Sequence, residues 1–212
     1  GCAVLSFPFH QAAATDGANT ACGRVEAGYR TETGVKGPVG ATAPVMACID
    51  VLRGRDGGPR RLRIFVAGRQ VISSDDIARG PSDGGIMGDP FQGVTLSHGS
   101  VVVKNYGGSA WRWNETWRLT IRQGQWIIAG WDEDYWHAGS GNDGLHVSVN
   151  ALTGTVREDG TPFNDNAVEP PPPVIHKICL LPRQWRTPSI MQAAAIGTSS
   201  WECDARLGTR AN

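Results

Sequence analysis

Residues 111 to 136, WRWNETWRLTIRQGQWIIAGWDEDYW, constrain the fold more than any other part of the chain. Two runs of apolar and polar alternation flank Gln123-Gly124, the pattern of two antiparallel strands joined by a tight turn. In the first run Trp111, Trp113, Glu115, Trp117, Leu119 and Ile121 point one way, and Arg112, Asn114, Thr116, Arg118, Thr120 and Arg122 point the other. One face therefore belongs to a core and the other to water.

The same signature recurs on both sides. VTLS and SVVVKNY flank His98-Gly99, LHVSVN and TVRE flank a turn around ALTG, and the β-branched runs VMACIDVLR and RLRIFVAGRQVI flank RGRDGGP. Consecutive hairpins build an antiparallel meander with short connections. The predicted fold is mainly β with little helix: a curved sheet, a sandwich, or a partial propeller or barrel. With 28 glycines and 13 prolines in 212 residues, many turns between short elements fit better than long helices.

Three segments follow from these shifts in composition. Residues 1–43, rich in Ala, Gly and Thr, read as an N-terminal arm tethered by a disulfide; 44–168 form the β-rich core; 169–212 hold a proline spacer and a C-terminal extension packed on that core. Pro170 to Pro173 force an extended spacer. After it VIHKICLLP reads as an edge strand and PSIMQAAAIG as a short helix, while SSDDIARG has the start signals for one helical turn.

Five cysteines, at 2, 22, 48, 179 and 203, form no C-x-x-C pair, which argues against zinc ribbons and thioredoxin-type sites. Setting Cys2 aside, four cysteines allow three connectivities, and short loop closure favours Cys22–Cys48 with Cys179–Cys203. Disulfides imply an oxidising, extracytoplasmic compartment. Gly1-Cys2 matches the end of a bacterial lipobox, making Cys2 a lipidation candidate beside the plain reading of an ordinary N-terminus. No run reaches the roughly 20 apolar residues of a membrane span. A net charge of zero lacks the basic footprint of nucleic-acid binding.

Register decides what the tryptophan hairpin can do. With a two-residue turn, Arg122 pairs with Gln125, and the pairing then sets Trp111 against Trp136, Glu115 against Asp132 and Trp113 against Asp134, an acidic pocket framed by indoles. A three-residue turn would shift every partner by one and set Trp117 against Trp131. Two carboxylates beside apolar rings are what a glycosidase requires, since burial raises one pKa while the other carboxyl stays ionised. A tryptophan row on an alternating strand reads first as hydrophobic core. The histidines match no metal motif, and RDGG at 55 to 58 and NDN at 164 to 166 lack the alternating acids of a calcium loop, so neither metal nor cofactor is expected. G-x-S-x-G, Walker, H-E-x-x-H and dinucleotide patterns are missing from the sequence.

The loop DGGIMGDPF (83 to 91), followed by YGGSAWRW (106 to 113), a QGQW turn and VNALTGTV (149 to 156), resembles a group of small extracytoplasmic bacterial proteins and lipoproteins distantly similar to FG-GAP, integrin-like repeat proteins. That resemblance spans roughly residues 45 to 192 and implies a secreted or periplasmic β domain without an assigned reaction. Such proteins often carry an Asp-rich calcium turn; here RGRDGGPRR keeps only Asp56. Glycines 84, 85 and 88 give the loop containing Asp89 freedom near the tryptophan hairpin, a place for a partner to dock.

The expected function is non-enzymatic binding of another extracytoplasmic protein, as an envelope lipoprotein or an immunity or inhibitor factor. The expected site comprises Trp111, Trp113, Glu115, Asp132, Asp134, Trp136 and Asp89. The alternative is a carbohydrate-active or cell-wall-glycan-binding domain using the Trp and carboxylate cluster, and a third reading is a structural envelope protein.

Overall fold

The computed structural model describes residues 22–40, 43–54, 58–139, 144–161, 174–197 and 203. Cys2, Asp56, the NDN turn and the proline spacer lie outside these residues. The chain is mainly β, in two antiparallel sheets.

The smaller sheet holds four strands in sequence order, β1 (Tyr29–Gly37), β2 (Val45–Leu52), β3 (Arg60–Val66) and β4 (Arg69–Ser74). It thus begins within the segment read as an arm. Ala67-Gly68 divides RLRIFVAGRQVI into two strands, although the sequence reads as one continuous run. Ala67, His98 and Gln123 have φ of 50°, 48° and 51°, and each precedes a glycine of positive φ. All three are two-residue turns with both central residues left-handed, the type I′ geometry whose twist suits a hairpin. Only the two turns bounded by obvious strand runs are legible in the sequence.

The larger sheet is a seven-stranded meander: β5 (Phe91–Ser97), β6 (Ser100–Gly108), β7 (Trp111–Arg122), β8 (Gln125–His137), β9 (Gly144–Asn150), β10 (Thr155–Thr161) and β11 (Ile175–Leu180), with β11 at an edge. A 3-10 turn at Ile190–Gln192 leads into α1 (Ala193–Gly197), closed at its start by a Ser189/Gln192 capping box. Of SSDDIARG, Ser73 and Ser74 end β4 and residues 75–78 form bends with no helical turn; Asn105 holds this segment against the large sheet, its Oδ1 accepting from Arg79 N at 3.0 Å.

One hydrophobic cluster joins the sheets. Val45, Ala47, Ile49, Leu62 and Ile64 come from the small sheet, and Val101, Val103, Trp117, Leu119, Ile128 and Trp131 from the large one. Strand β2 is buried on both faces, because its other side carries Cys48 and Asp50. Cys22 is bonded to Cys48 and Cys179 to Cys203, the connectivity expected from loop closure. Two disulfides fit an oxidising, extracytoplasmic location. No helix among the described residues is long and apolar enough to cross a membrane.

Candidate functional site

The β7–β8 hairpin departs from both simple registers. The two-residue turn forms, and Arg122↔Gln125 through Leu119↔Ile128 follow it; beyond them Ala129 is left over and Arg118 pairs with Gly130. This bulge moves every later partner by one residue. Trp117 faces Trp131, Glu115 faces Glu133, Trp113 faces Tyr135 and Trp111 faces His137. The expected pairs Glu115–Asp132, Trp113–Asp134 and Trp111–Trp136 do not form, because adjacent residues of a strand point to opposite faces.

The predicted site residues are accordingly divided. Trp111, Trp113 and Glu115 share the core-side face, whereas Asp132, Asp134 and Trp136 lie on the outer face. There Asp132 accepts from Ser148 Oγ at 2.7 Å and pairs with Arg118, Asp134 Oδ1 lies 2.7 Å from His146 Nδ1, and Trp136 stacks with Tyr106 at 6.0 Å between centroids. No glycosidase pair of Glu115 and Asp132 is assembled.

The tryptophans separate in the same way. Trp117, Trp126 and Trp131 are buried in the core. Trp111 and Trp113 are half-buried, and Trp111 stacks parallel to Tyr135, with centroids 4.8 Å apart, and meets His137 edge to face at 5.0 Å. Toward this end of the hairpin the core face turns from apolar filling to a partly open aromatic shelf, with Tyr135 49% exposed.

The glycine-rich loop completes the surface. Gly108 N donates to Gly84 O at 2.9 Å, and Tyr106 N to Pro90 O at 2.8 Å, so both ends of the loop are fixed to β6. A Cβ on Gly107 would lie 2.5 Å from the Trp113 ring and 2.9 Å from Gly84 Cα, so only glycine lets loop and indole meet there. The 3-10 turn Gly85–Met87 then carries Ile86 and Met87 outward, 79% and 40% exposed. Gly84 thus meets Gly107 where the Trp113 ring also lies, and Trp113 pairs with Tyr135 at the same end of the sheet.

Charge is concentrated behind this surface. Arg79 grips Glu115 through Nε to Oε2 at 2.9 Å and through Nη2 to Oε1, and its guanidinium lies 5.9 Å from the Trp113 ring centroid. The hydrogen bond that Arg79 donates to Glu115 raises the Arg79 pKa above its ordinary value; burial opposes it, and the fields of Glu115, Asp83 and Glu133 add to it. Asp89 anchors the loop: Arg60, 1% exposed, donates to its Oδ1 from Nη1 at 2.7 Å and to Glu32 from Nε at 2.6 Å.

No family model, curated protein or solved structure matches this chain. The resemblance to FG-GAP-like proteins rests on its sequence motifs alone. Among the described residues, no cluster of three or more His, Cys, Asp and Glu is arranged to hold a metal ion. Sequence reasoning missed Ile86, Met87, Arg79, Glu133 and Tyr135. An apolar pair between glycines in GGIMG is the signal that could have found the first two, whereas Arg79 reaches Glu115 across 36 residues of sequence and carries no local signal.

Proposed function

We propose that the chain is a non-enzymatic, extracytoplasmic binding domain that docks another protein at the end of the large sheet formed by the glycine loop and the aromatic shelf. The observation that carries this reading is the exposure of Ile86 on a loop hydrogen-bonded at both ends to β6 and continuous with Trp113. A rigid apolar projection beside Trp, Tyr, Met and Arg has the composition of a binding hot spot, and its fixed backbone lowers the ordering entropy of association. A periplasmic setting, a lipid anchor at Cys2 and an immunity or inhibitor role belong to the same reading.

The glycan alternative draws on one feature, the Tyr135 ring beside Glu115 and Glu133, since a sugar stacks on an aromatic face and donates hydroxyls to carboxylates. An affinity capture from an extracytoplasmic extract, with disulfides kept intact, separates the readings. A protein retained by the wild type and lost with Ile86→Ser supports protein docking. Identical retention by both overturns it, and capture of polysaccharide lost with Tyr135→Ala moves the function to glycan binding.

A further inference from the structure

We infer that β11 is a self-association edge, pairing antiparallel with β11 of a second copy and continuing the large sheet across a two-fold axis. The inference goes beyond the docking reading and uses a different surface. Among the described residues β11 pairs with β10 alone, so one row of its backbone N–H and C=O groups stands outside any ladder they form. The other edge of the sheet differs, because β5 lies against β1, where a Cβ on Gly37 would come 2.7 Å from Leu96 Cδ1.

An edge of this kind is commonly blunted by a proline, a bulge or an outward charge. β11 runs for six residues without proline, and its ladder with β10 holds one register throughout. The side chains on its outer face are His176, Ile178 and Leu180, with no Lys, Arg, Asp or Glu, and Ile178 and Leu180 are 75% and 71% exposed. The rest of this face is polar: the register row that ends on Ile178 reads Lys104, Thr116, Asp132, Ser148 and Arg157. Cys179 projects to the opposite face, so its bond to Cys203 leaves the outer row open.

Three features fit a second copy. Residues directly opposed in an antiparallel pair share a face, so a two-fold axis normal to the sheet at Ile178 sets Ile178 against its own counterpart and Leu180 against His176. No outward charge meets a like charge: Arg157 pairs with Asp159 within each copy, and the two Arg157 stand three strand spacings apart, about 14 Å, beyond the Debye length of about 8 Å. A net charge of zero adds no general repulsion between copies. One strand pair buries less than a standard interface, so the association is weak and belongs to high protein concentration.

Sedimentation velocity over a rising concentration series tests this with the wild type, Ile178→Lys, Leu180→Lys and Ile86→Ser, each with its disulfides intact. The wild type is expected to move from monomer toward dimer. Either lysine is expected to weaken that association at least roughly tenfold, since each change removes two aliphatic side chains from the interface and Ile178→Lys also opposes two cations. Amide exchange in β11 is expected to slow with concentration in the wild type and not in Ile178→Lys.

A wild type that stays monomeric throughout overturns the inference. So does a dimer that both lysine variants keep, because its contact then lies elsewhere. A dimer lost with Ile86→Ser and kept by both lysine variants assigns self-association to the glycine loop and overturns the inference as well. A monomeric wild type that captures another extracytoplasmic protein, lost with Ile178→Lys and kept by Ile86→Ser, gives β11 to a foreign strand and overturns the inference and the docking reading together.

Discussion

A buried guanidinium left without partners would cost several kcal/mol, so the residues around Arg60 are as much part of the fold as the apolar core. Arg60 donates to Glu32, Asp89 and Arg79 O, and stacks 4.8 Å over the Phe91 ring. Burial, the largest effect, pushes its pKa down, and the hydrogen bonds to Asp89 and Glu32 more than reverse that. For Asp89 burial raises the pKa, but the hydrogen bonds from Arg60 and Phe91 N prevail and hold it below its ordinary value. The unfolded chain therefore binds more protons than the folded one as pH falls. Asp89 contributes stability that is complete above its unfolded pKa of about 3.9 and is lost as pH drops through its lower folded value. Asp159, also lowered, acts with the same sign from a half-buried position on β10. Asp89→Asn is expected to flatten the acid limb of Tm against pH without abolishing it; an unchanged acid limb would place the sensitivity elsewhere. Sequence marked Asp89 because of its loop, but Arg60 is 29 residues away and nothing local announces it.

At the scale of the element, the hairpin shows what alternation can and cannot specify. Period-two patterning and Gln123-Gly124 were enough to read both strands and their turn, and the four pairs nearest the turn follow directly. The bulge at Ala129 then reassigns every partner beyond it. Its signal was present in QWIIAGWDEDYW, since a glycine inside a strand marks a bulge or a close backbone approach. A Cβ at Gly130 would collide with the Val149 carbonyl of β9. The gain is that Trp131 enters the core opposite Trp117, their centroids 6.2 Å apart, while Asp132 remains on the outer face. An unbulged hairpin that kept Ala129 would set Thr116 against Trp131 and Glu115 against Asp132, losing a buried indole and burying a carboxylate at a cost of at least about 3–5 kcal/mol. Deleting Ala129 removes the extra residue and leaves Trp117 opposite Trp131 and Glu115 opposite Glu133, so the deletion variant is expected to keep the wild-type tryptophan emission and to lose only about 0.5–3 kcal/mol. Urea denaturation with tryptophan fluorescence measures both; a red-shifted emission from the folded variant would show that Ala129 alone does not set the faces beyond the bulge.

Across the whole molecule, each sheet has one disulfide, and each disulfide fixes a backbone group that satisfies a buried charge. Cys22–Cys48 ties the chain ahead of β1 to β2, and the Cys22 carbonyl accepts from Arg63 Nη1 at 3.2 Å. Arg63 in turn pairs with Asp50, which also accepts from Thr31 Oγ1 at 2.9 Å. Cys179–Cys203 ties a C-terminal residue to edge strand β11, and Cys203 N donates to Glu158 Oε2 at 2.7 Å. The pairing was legible from sequence because short loops close most readily, whereas the charges were not, since their partners come from distant strands. Sequence separations of 26 and 24 predict nearly equal loop-entropy contributions, about 3.5 kcal/mol each. Their surroundings differ. Cys22 and Cys48 are fully buried beside Arg63 and Asp50, both also buried, while Cys179 is half-buried at the edge of a sheet. Loss of the first bond frees the segment that covers a buried ion pair, adding a desolvation penalty to the entropy term. The variant Cys22→Ser, Cys48→Ser is therefore expected to fall further in guanidinium midpoint than Cys179→Ser, Cys203→Ser, by roughly 1–3 kcal/mol. Equal midpoints would mean that chain entropy alone accounts for both bonds and that Asp50 and Arg63 hold each other without help from Cys22.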